Sequence, residues 1–347
     1  MKLQYNLENI GNIDNASITI KPLTIIAGEN SSGKTFVTKS LYTILSQIHY
    51  INYRIAIQDK SVLLGVKLGL DVAFKKNFQI TNLKSLVKDS NTNPILLNLS
   101  KVCNVVINEN IDISLNKNME SLQINNVVFF DSPVYIKIRK ALEKKPLPRL
   151  NYNNHQDENK YLKGYPEYID DLYHDLDLEY IDRADFDEIS QEIQQIISGK
   201  LDVSRSGDIN YTDNQNNVIP LSLTAMGISN IGLIDLLLRN NVINKGSFLI
   251  MDEPEVHLHP EWQVILAQLL YKIAKSGANI IIATHSLDFL KAFENILKEE
   301  NEIAEEIIAI NKMPYEESFS EKTELEKVGI VLDDLSRPFY NLYMQDI

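Results

Sequence analysis

A chain of 347 residues, 44% of them hydrophobic, has the apolar material for one large domain or two modest ones, each with its own core. Its formal net charge of −13 excludes a surface coated in nucleic acid, because nonspecific phosphate binding needs Lys and Arg in excess; a local basic groove is the most it allows. Cys103 is the single cysteine, which excludes an intrachain disulfide framework or a cysteine zinc site, and its run Val102-Cys103-Asn104-Val105-Val106-Ile107 makes it an expected core residue. The opening Met1-Lys2-Leu3-Gln4-Tyr5-Asn6 has no signal-peptide pattern and no apolar run reaches bilayer length, so a soluble, cytoplasmic protein is expected.

Leu3, Tyr5 and Leu7, then Ala16, Ile18 and Ile20, alternate with polar residues over 3–8 and 15–21, which predicts two half-exposed strands turned at Gly11-Asn12. Leu23-Thr24-Ile25-Ile26 predicts a buried strand, and Val37, Leu41, Ile44 and Ile48 predict a helix. Between them stands Gly28-Glu29-Asn30-Ser31-Ser32-Gly33-Lys34-Thr35, which has the spacing of a phosphate-binding P-loop in its required strand-to-helix context. The glycines let backbone N–H groups turn inward, and the helix N-terminus adds partial positive charge where phosphate oxygens would sit. Gly28, Asn30, Ser31, Ser32, Gly33, Lys34, Thr35 and Phe36 are therefore the expected nucleotide contacts. Lys34 would reach the β- and γ-phosphates, and the Thr35 hydroxyl would hold Mg²⁺.

Residues 51–125 are expected to be an insertion of one helix and short strands. Leu63, Val66, Leu70 and Phe74 share a face over Ser61–Phe78, and strand-like pieces follow from Pro94 to Ser114. Val127-Val128-Phe129-Phe130-Asp131 then predicts a buried strand, within 126–133, that joins the nucleotide-binding sheet. A second insertion, helical and acidic, is expected over 134–199. It begins with a basic patch, Lys137-Ile138-Arg139-Lys140 and Lys144-Lys145, read as a solvated helix face in preference to a phosphate contact, and a linker at Pro146-Leu147-Pro148-Arg149. Residues 167–192 carry eleven acids and one base, Arg183, with Tyr168, Ile169, Leu172, Tyr173 and Leu176 at helical spacing. That amphipathic face suits a protein partner or the body of the domain, and Asp175-Leu176-Asp177 is read as part of it rather than as a metal pair.

Short strands and turns are expected over Asp208–Leu221, then a helix with Ile231, Ile234, Leu237 and Leu238. It follows Leu223-Thr224-Ala225-Met226-Gly227, where Gly227 permits either close approach to a phosphate or simple packing. Phe248-Leu249-Ile250-Met251-Asp252-Glu253 predicts a buried parallel strand with two carboxylates at its carboxyl end, the edge where such sheets do chemistry. Asp252 is expected on Mg²⁺, and Glu253 as the base for the water that attacks the γ-phosphate. A helix with Trp262, Ile265, Leu269 and Ile273 leads to Ile280-Ile281-Ile282-Ala283 and Thr284-His285-Ser286, which brings His285 to the same edge. Glu253, His285 and Lys34 form the expected catalytic set; His257 and His259 are read as turn or interface residues. The expected fold is an α/β P-loop core made of 1–50 and 200–347 with the 126–133 strand, its central sheet mixed, its N-terminal strands antiparallel, and its insertion largely helical.

Gly28-x-Asn30-x-x-Gly33-Lys34-Thr35, Asp252-Glu253-Pro254-Glu255, Leu258-His259-Pro260 and Thr284-His285-Ser286 together resemble the ABC-type ATPase heads. Within these, the pattern is most similar to the overcoming-lysogenization-defect (OLD) nucleases and related prokaryotic defence ATPases, over residues 1–45 and about 200–300. The resemblance implies Lys34 and Thr35 in Walker A, Asp252 and Glu253 in Walker B, His285 as the switch histidine, and ATP with Mg²⁺ as cofactors. It also implies a head-to-tail dimer or higher assembly, in which the signature segment of one subunit closes over ATP held by another. That segment here is Thr224-Ala225-Met226-Gly227, with Ala225 where a serine is usual, which points to slow hydrolysis or ATP-gated signalling. The usual Q-loop glutamine has no match; the loop after Asp131-Ser132-Pro133 is its expected place.

The OLD nucleases continue into a metal-dependent nuclease domain, whereas about sixty residues follow Ser286. These are expected to form a helix over Leu287–Leu297, a strand near Ile307–Ile310 and a tail that completes the ATPase. The expectation is an ATPase subunit that senses or gates, with its effector, a nuclease or toxin, on another chain, and with no membrane partner. The alternative is a DNA-repair ATPase resembling RecF that clamps DNA as an ATP-closed dimer, which needs more basic surface than the 137–149 patch. A transporter ATPase and a nucleotide kinase fit the residues less well.

Overall fold

The computed structural model describes residues 2–52, 60–88, 93–116, 124–137, 165–177, 185–204 and 206–345. The predicted linker, the basic patch beyond Lys137, and Arg183 lie outside them. The chain starts with strands β1 (Leu3–Ile10) and β2 (Ile13–Ile20), whose alternating residues turn inward as the period-2 pattern requires. Strand β3 (Leu23–Gly28) is buried throughout and runs into helix α1 (Lys34–Asn52), and α2 (Lys60–Phe78) follows. Next come β4 (Ile95–Leu99), β5 (Cys103–Ile107), β6 (Ile111–Leu115), β7 (Val127–Phe130), α3 (Pro133–Lys137), α4 (Glu167–Asp177) and α5 (Asp187–Ile196). Strands β8 (Gly199–Val203), β9 (Ile209–Asp213) and β10 (Val218–Pro220) precede α6 (Met226–Arg239) and β11 (Phe248–Asp252). The chain closes with α7 (Pro260–Lys275), β12 (Asn279–Thr284), α8 (Leu287–Glu300), α9 (Glu302–Ile307), β13 (Ile308–Met313) and α10 (Glu324–Gln345).

The α/β class holds, with parallel and antiparallel strands divided between sheets. Five strands form an all-parallel sheet in the order β13-β3-β12-β11-β7. Five others form an antiparallel sheet, β2-β1-β4-β5-β6, so β4 to β6, read from sequence as part of an insertion, extend the sheet that the N-terminal hairpin begins. A three-stranded antiparallel sheet, β10-β9-β8, packs beside α6. Alternation alone could not assign β1 and β2 to a sheet, because a half-exposed strand has the same period whichever partner it finds.

Helix α1 lies between the two large sheets. It packs on β3, β12, β11 and β7, while on its other side its Ser40 hydroxyl accepts a 2.8 Å hydrogen bond from buried Tyr5 of β1. Helices α7 and α10 cover the opposite face of the parallel sheet, with α8 packed against both. Asn311 of β13 ties the sheets together: its side chain accepts from the Thr19 amide at 2.8 Å and donates to the Thr19 carbonyl at 3.0 Å. Cys103 is buried in β5, as expected, and burial pushes its thiol up to about 12.

Helix α4 resolves the two readings of the acidic segment. Tyr168, Ile169, Leu172, Tyr173 and Leu176 are all buried against the body of the domain, and Tyr168 packs on Phe129 of β7 with ring centroids 4.6 Å apart. Among the described residues no helix is long and apolar enough to cross a membrane.

Candidate nucleotide-binding site

Parallel strands put all their carboxyl ends at one edge, and register decides which residues meet there. Gly28 pairs with Met313, Thr284 with Ala27, and Asp252 with Ala283. The P-loop, Asp252-Glu253 and Thr284-His285 therefore share one rim of the sheet, as the sequence reading required.

The loop is shaped by close approach. A Cβ on Gly28 would stand 2.0 Å from the Met313 carbonyl oxygen, so only glycine lets β3 run this close to β13 before turning. Gly33 has φ +100°, and a Cβ there would meet the Asn12 and Ile13 side chains at 2.8 Å. The Gly11-Asn12 turn of the β1–β2 hairpin thus buttresses the P-loop, and the Asn12 side chain donates to the Ser31 carbonyl. Phe36, expected among the nucleotide contacts, spends its ring on packing against Phe78, centroids 5.7 Å apart, beneath Gly11.

Lys34 is buried and folds back over its own loop, donating to the carbonyls of Gly28 at 2.9 Å and Glu29 at 2.8 Å. Burial lowers its pKa, and the charges of Glu253, Asp252 and Glu255 oppose that shift. The Thr35 hydroxyl donates to Asp252 Oδ2 at 2.9 Å. Among the described residues the other Asp252 oxygen, Oδ1, is buried without a hydrogen-bond partner, as is Ser32 Oγ. Asp252 is pushed up to about 6, first by burial, with Asp131 and Glu253 adding to the rise and Thr35 and Lys39 resisting it. A desolvated carboxylate with an orphaned oxygen beside a threonine hydroxyl is a donor set that fits a divalent cation. Thr35 and Asp252 are the residues that would hold it.

Glu253 stands where the chain turns with φ 50°, and its Oε1 lies 2.9 Å from His285 Nδ1. Both side chains remain partly exposed, so a solvent molecule can reach the pair. The Glu253 backbone is fixed in turn by its amide, which donates to the Ala283 carbonyl at 2.9 Å.

Two residues at this rim were given no role in the site by the sequence reading. Asp131 follows β7 directly, one position past the Met251–Phe130 pair, which sets it beside Asp252. Burial raises its pKa, Glu253 adds to that, and Lys39 and Tyr168 oppose it; the Tyr168 hydroxyl lies 3.4 Å away. The rule that selected Asp252, a carboxylate closing a buried apolar run, applies equally to Asp131 and could have found it. Glu255 is the other, buried against Thr284.

Gly227 is not part of this group. It lies in the first turn of α6, where a Cβ would be 3.1 Å from the Trp262 ring of α7, so of its two readings the packing role is the one these contacts display. Ala225, preceding α6, is exposed and caps nothing with its side chain. Lys137, read as solvated, instead donates to the Thr224 carbonyl at 2.5 Å and so braces this segment. His259 caps α7, its ring accepting from the Glu261 amide at 3.4 Å, and His257 sits in the preceding turn with φ 67°.

The P-loop thus opens from a buried strand of a parallel sheet in which two further strands, β11 and β7, end in carboxylates, the strand-to-helix setting such a loop requires. Consistent with this, residues 131–290 match a family model described as an AAA ATPase domain, a stretch that takes in Asp252, Glu253 and His285 and begins after the P-loop. No curated protein matches the chain in sequence. Among solved structures, the chain is similar to the SMC head domain from Thermotoga maritima, at 14% identity and TM-score 0.43, covering 84% of this chain and 92% of that one. It is similar to an Smc head domain bound to the C-terminal domain of ScpA, derived from Pyrococcus furiosus, at 12% identity and TM-score 0.45, covering 83% and 90%. An ATP-binding cassette of an ABC transporter in its ADP conformation shows 16% identity and TM-score 0.40, covering 96% of each chain.

Proposed function

We propose that the chain is a cytoplasmic ATPase subunit that binds ATP and Mg²⁺, hydrolyses the nucleotide slowly, and gates a separate effector such as a nuclease or toxin in a prokaryotic defence system of OLD-like type. The observation that carries the ATPase reading is the meeting, at one sheet rim, of Lys34 and Thr35 with Asp252 and the hydrogen-bonded Glu253–His285 pair. The ATPase-domain match over residues 131–290 supports it.

In this mechanism Lys34 exchanges two loop carbonyls for the β- and γ-phosphate oxygens, a change that favours its charged form. Thr35 and Asp252 would hold the cation, which would supply neutralisation of the charge on the phosphates. Glu253 takes the proton of the attacking water, and His285, oriented by Glu253, donates toward the γ-phosphate. The defence role rests on the motif resemblance. The exposed start of α6, with Leu223 at 77% exposure beside Ala225, supports closure by a second copy in a head-to-tail dimer.

Glu253→Gln tests the core of the proposal. Loss of a general base is expected to slow hydrolysis on the order of 100-fold or more while nucleotide stays bound. With ATP and Mg²⁺ the variant should shift in mass to a dimer or higher assembly, and from its native host it should bring a second protein with it. Hydrolysis at the wild-type rate refutes Glu253 as the base. Strong, salt-sensitive, ATP-dependent binding of duplex DNA would establish the RecF-like clamp instead.

A further inference from the structure

The segment that follows Glu253 holds the peptide on both sides of His285. Ahead of the histidine, the buried Glu255 carboxylate accepts a hydrogen bond from the Thr284 hydroxyl through Oε1. That hydroxyl also accepts from the Ser286 amide at 3.1 Å. A threonine hydroxyl has one proton and two lone pairs, so it can accept from the Ser286 amide and still donate to Glu255. Behind the histidine, the Ser286 hydroxyl donates to Gln263 Oε1 at 2.7 Å, and Gln263 Nε2 donates to the Leu258 carbonyl at 3.1 Å. Both clamps, from Glu255 and Gln263, come from the turn and helix start just beyond Glu253.

Glu255 is 4% exposed, and among the described residues its Oε2 is buried with no hydrogen-bond partner. A buried carboxylate with one oxygen unsatisfied costs free energy, so it is a poor choice for stability alone. What it touches is the residue immediately before His285.

We infer that Glu255, through the Thr284 hydroxyl, is a positioning residue that aims the His285 ring at Glu253. This rests on the ATPase reading for its catalytic consequence, though not for the geometry. Thr284 and Glu255 act on the peptide that carries the histidine.

The test uses the full chain and the near-isosteric Thr284→Val, with Thr284→Ser as rescue. Misplacing a reacting group by about 1 Å can cost up to about 100-fold, so Thr284→Val is expected to lower kcat for ATP by roughly 10- to 100-fold with KM within about 2-fold. Thr284→Ser should restore kcat to within about 3-fold, because it returns the hydroxyl. Glu255→Gln keeps an acceptor and should lose less than Thr284→Val, and adding it to Thr284→Val should cost nothing more. The second readout is the imidazole ¹⁵N–¹H correlation of His285, assigned by its loss in His285→Asn, which should move in Thr284→Val and return in Thr284→Ser.

Wild-type kcat in Thr284→Val, where Glu253→Gln abolishes hydrolysis, overturns the inference and leaves the ATPase reading standing. Unimpaired hydrolysis by Glu253→Gln removes the ATPase reading instead, and the His285 correlation then decides alone. An unmoved signal in Thr284→Val refutes the positioning role, as does a Thr284→Ser variant as impaired as Thr284→Val.

Discussion

Helix α4 makes the chain more stable as pH falls from 7. Asp175 and Glu167 are each pushed up to about 7, by burial first and by the neighbouring Asp171 charge second. In the unfolded chain both return to ordinary carboxylate values near 4. Between those limits the native state binds more protons than the unfolded one, so the derivative of unfolding free energy with pH is negative and stability rises as pH drops. From pH 7 to 5.5 each group contributes about 1.5 kcal/mol, and the shared coupling to Asp171 holds the pair to roughly 2–3 kcal/mol. For 347 residues the entropy of unfolding is roughly 0.7 kcal/mol/K, so the midpoint should rise by about 3–4 °C. The assay is calorimetric melting of nucleotide-free protein at both pH values and constant ionic strength, beside Asp175→Asn. The variant carries no titrating group there and should lose about half of the rise. Parallel pH dependence in wild type and Asp175→Asn would refute burial of that carboxylate as the cause.

Three further outcomes follow from the geometry. Gly28→Ala places a methyl 2.0 Å from the Met313 carbonyl, a backbone atom that cannot rotate away; it should cost about 3 kcal/mol or more and abolish nucleotide binding, measured by melting and by fluorescent-nucleotide titration. Lys34→Ala should abolish nucleotide binding while leaving the fold intact, whereas Asp252→Asn should retain nucleotide but lose the dependence of its affinity on Mg²⁺. In Arg239→Met, Asp235 loses a 2.9 Å ion pair while fully buried and keeps only neutral partners such as Ser190 at 2.6 Å; a loss of about 3 kcal/mol with unchanged nucleotide affinity is expected, checked by urea denaturation and titration.

Local sequence chemistry made the P-loop and the two carboxyl-end motifs legible. A glycine-rich turn between a β-branched run and a helical period has few other uses, and Asp252, Glu253 and His285 each close a continuous apolar strand. The positions of β11, β12 and β13 could be read for the same reason. Asp131 could have been read by the same rule, but its strand is only four residues long and its partner in register lies far along the chain.

The sequence by itself determined that this protein has a phosphate-binding loop and buried strands ending in acids, because those depend on spacing within a few residues. The tertiary structure alone decided that the N-terminal hairpin builds its own antiparallel sheet and props the loop through Asn12, and that α4 turns its aromatic face inward. It alone revealed that Glu255 grips Thr284 from 29 positions away. Hydrogen-bond partners across a sheet rim are set by strand order and register, and a periodic pattern contains neither.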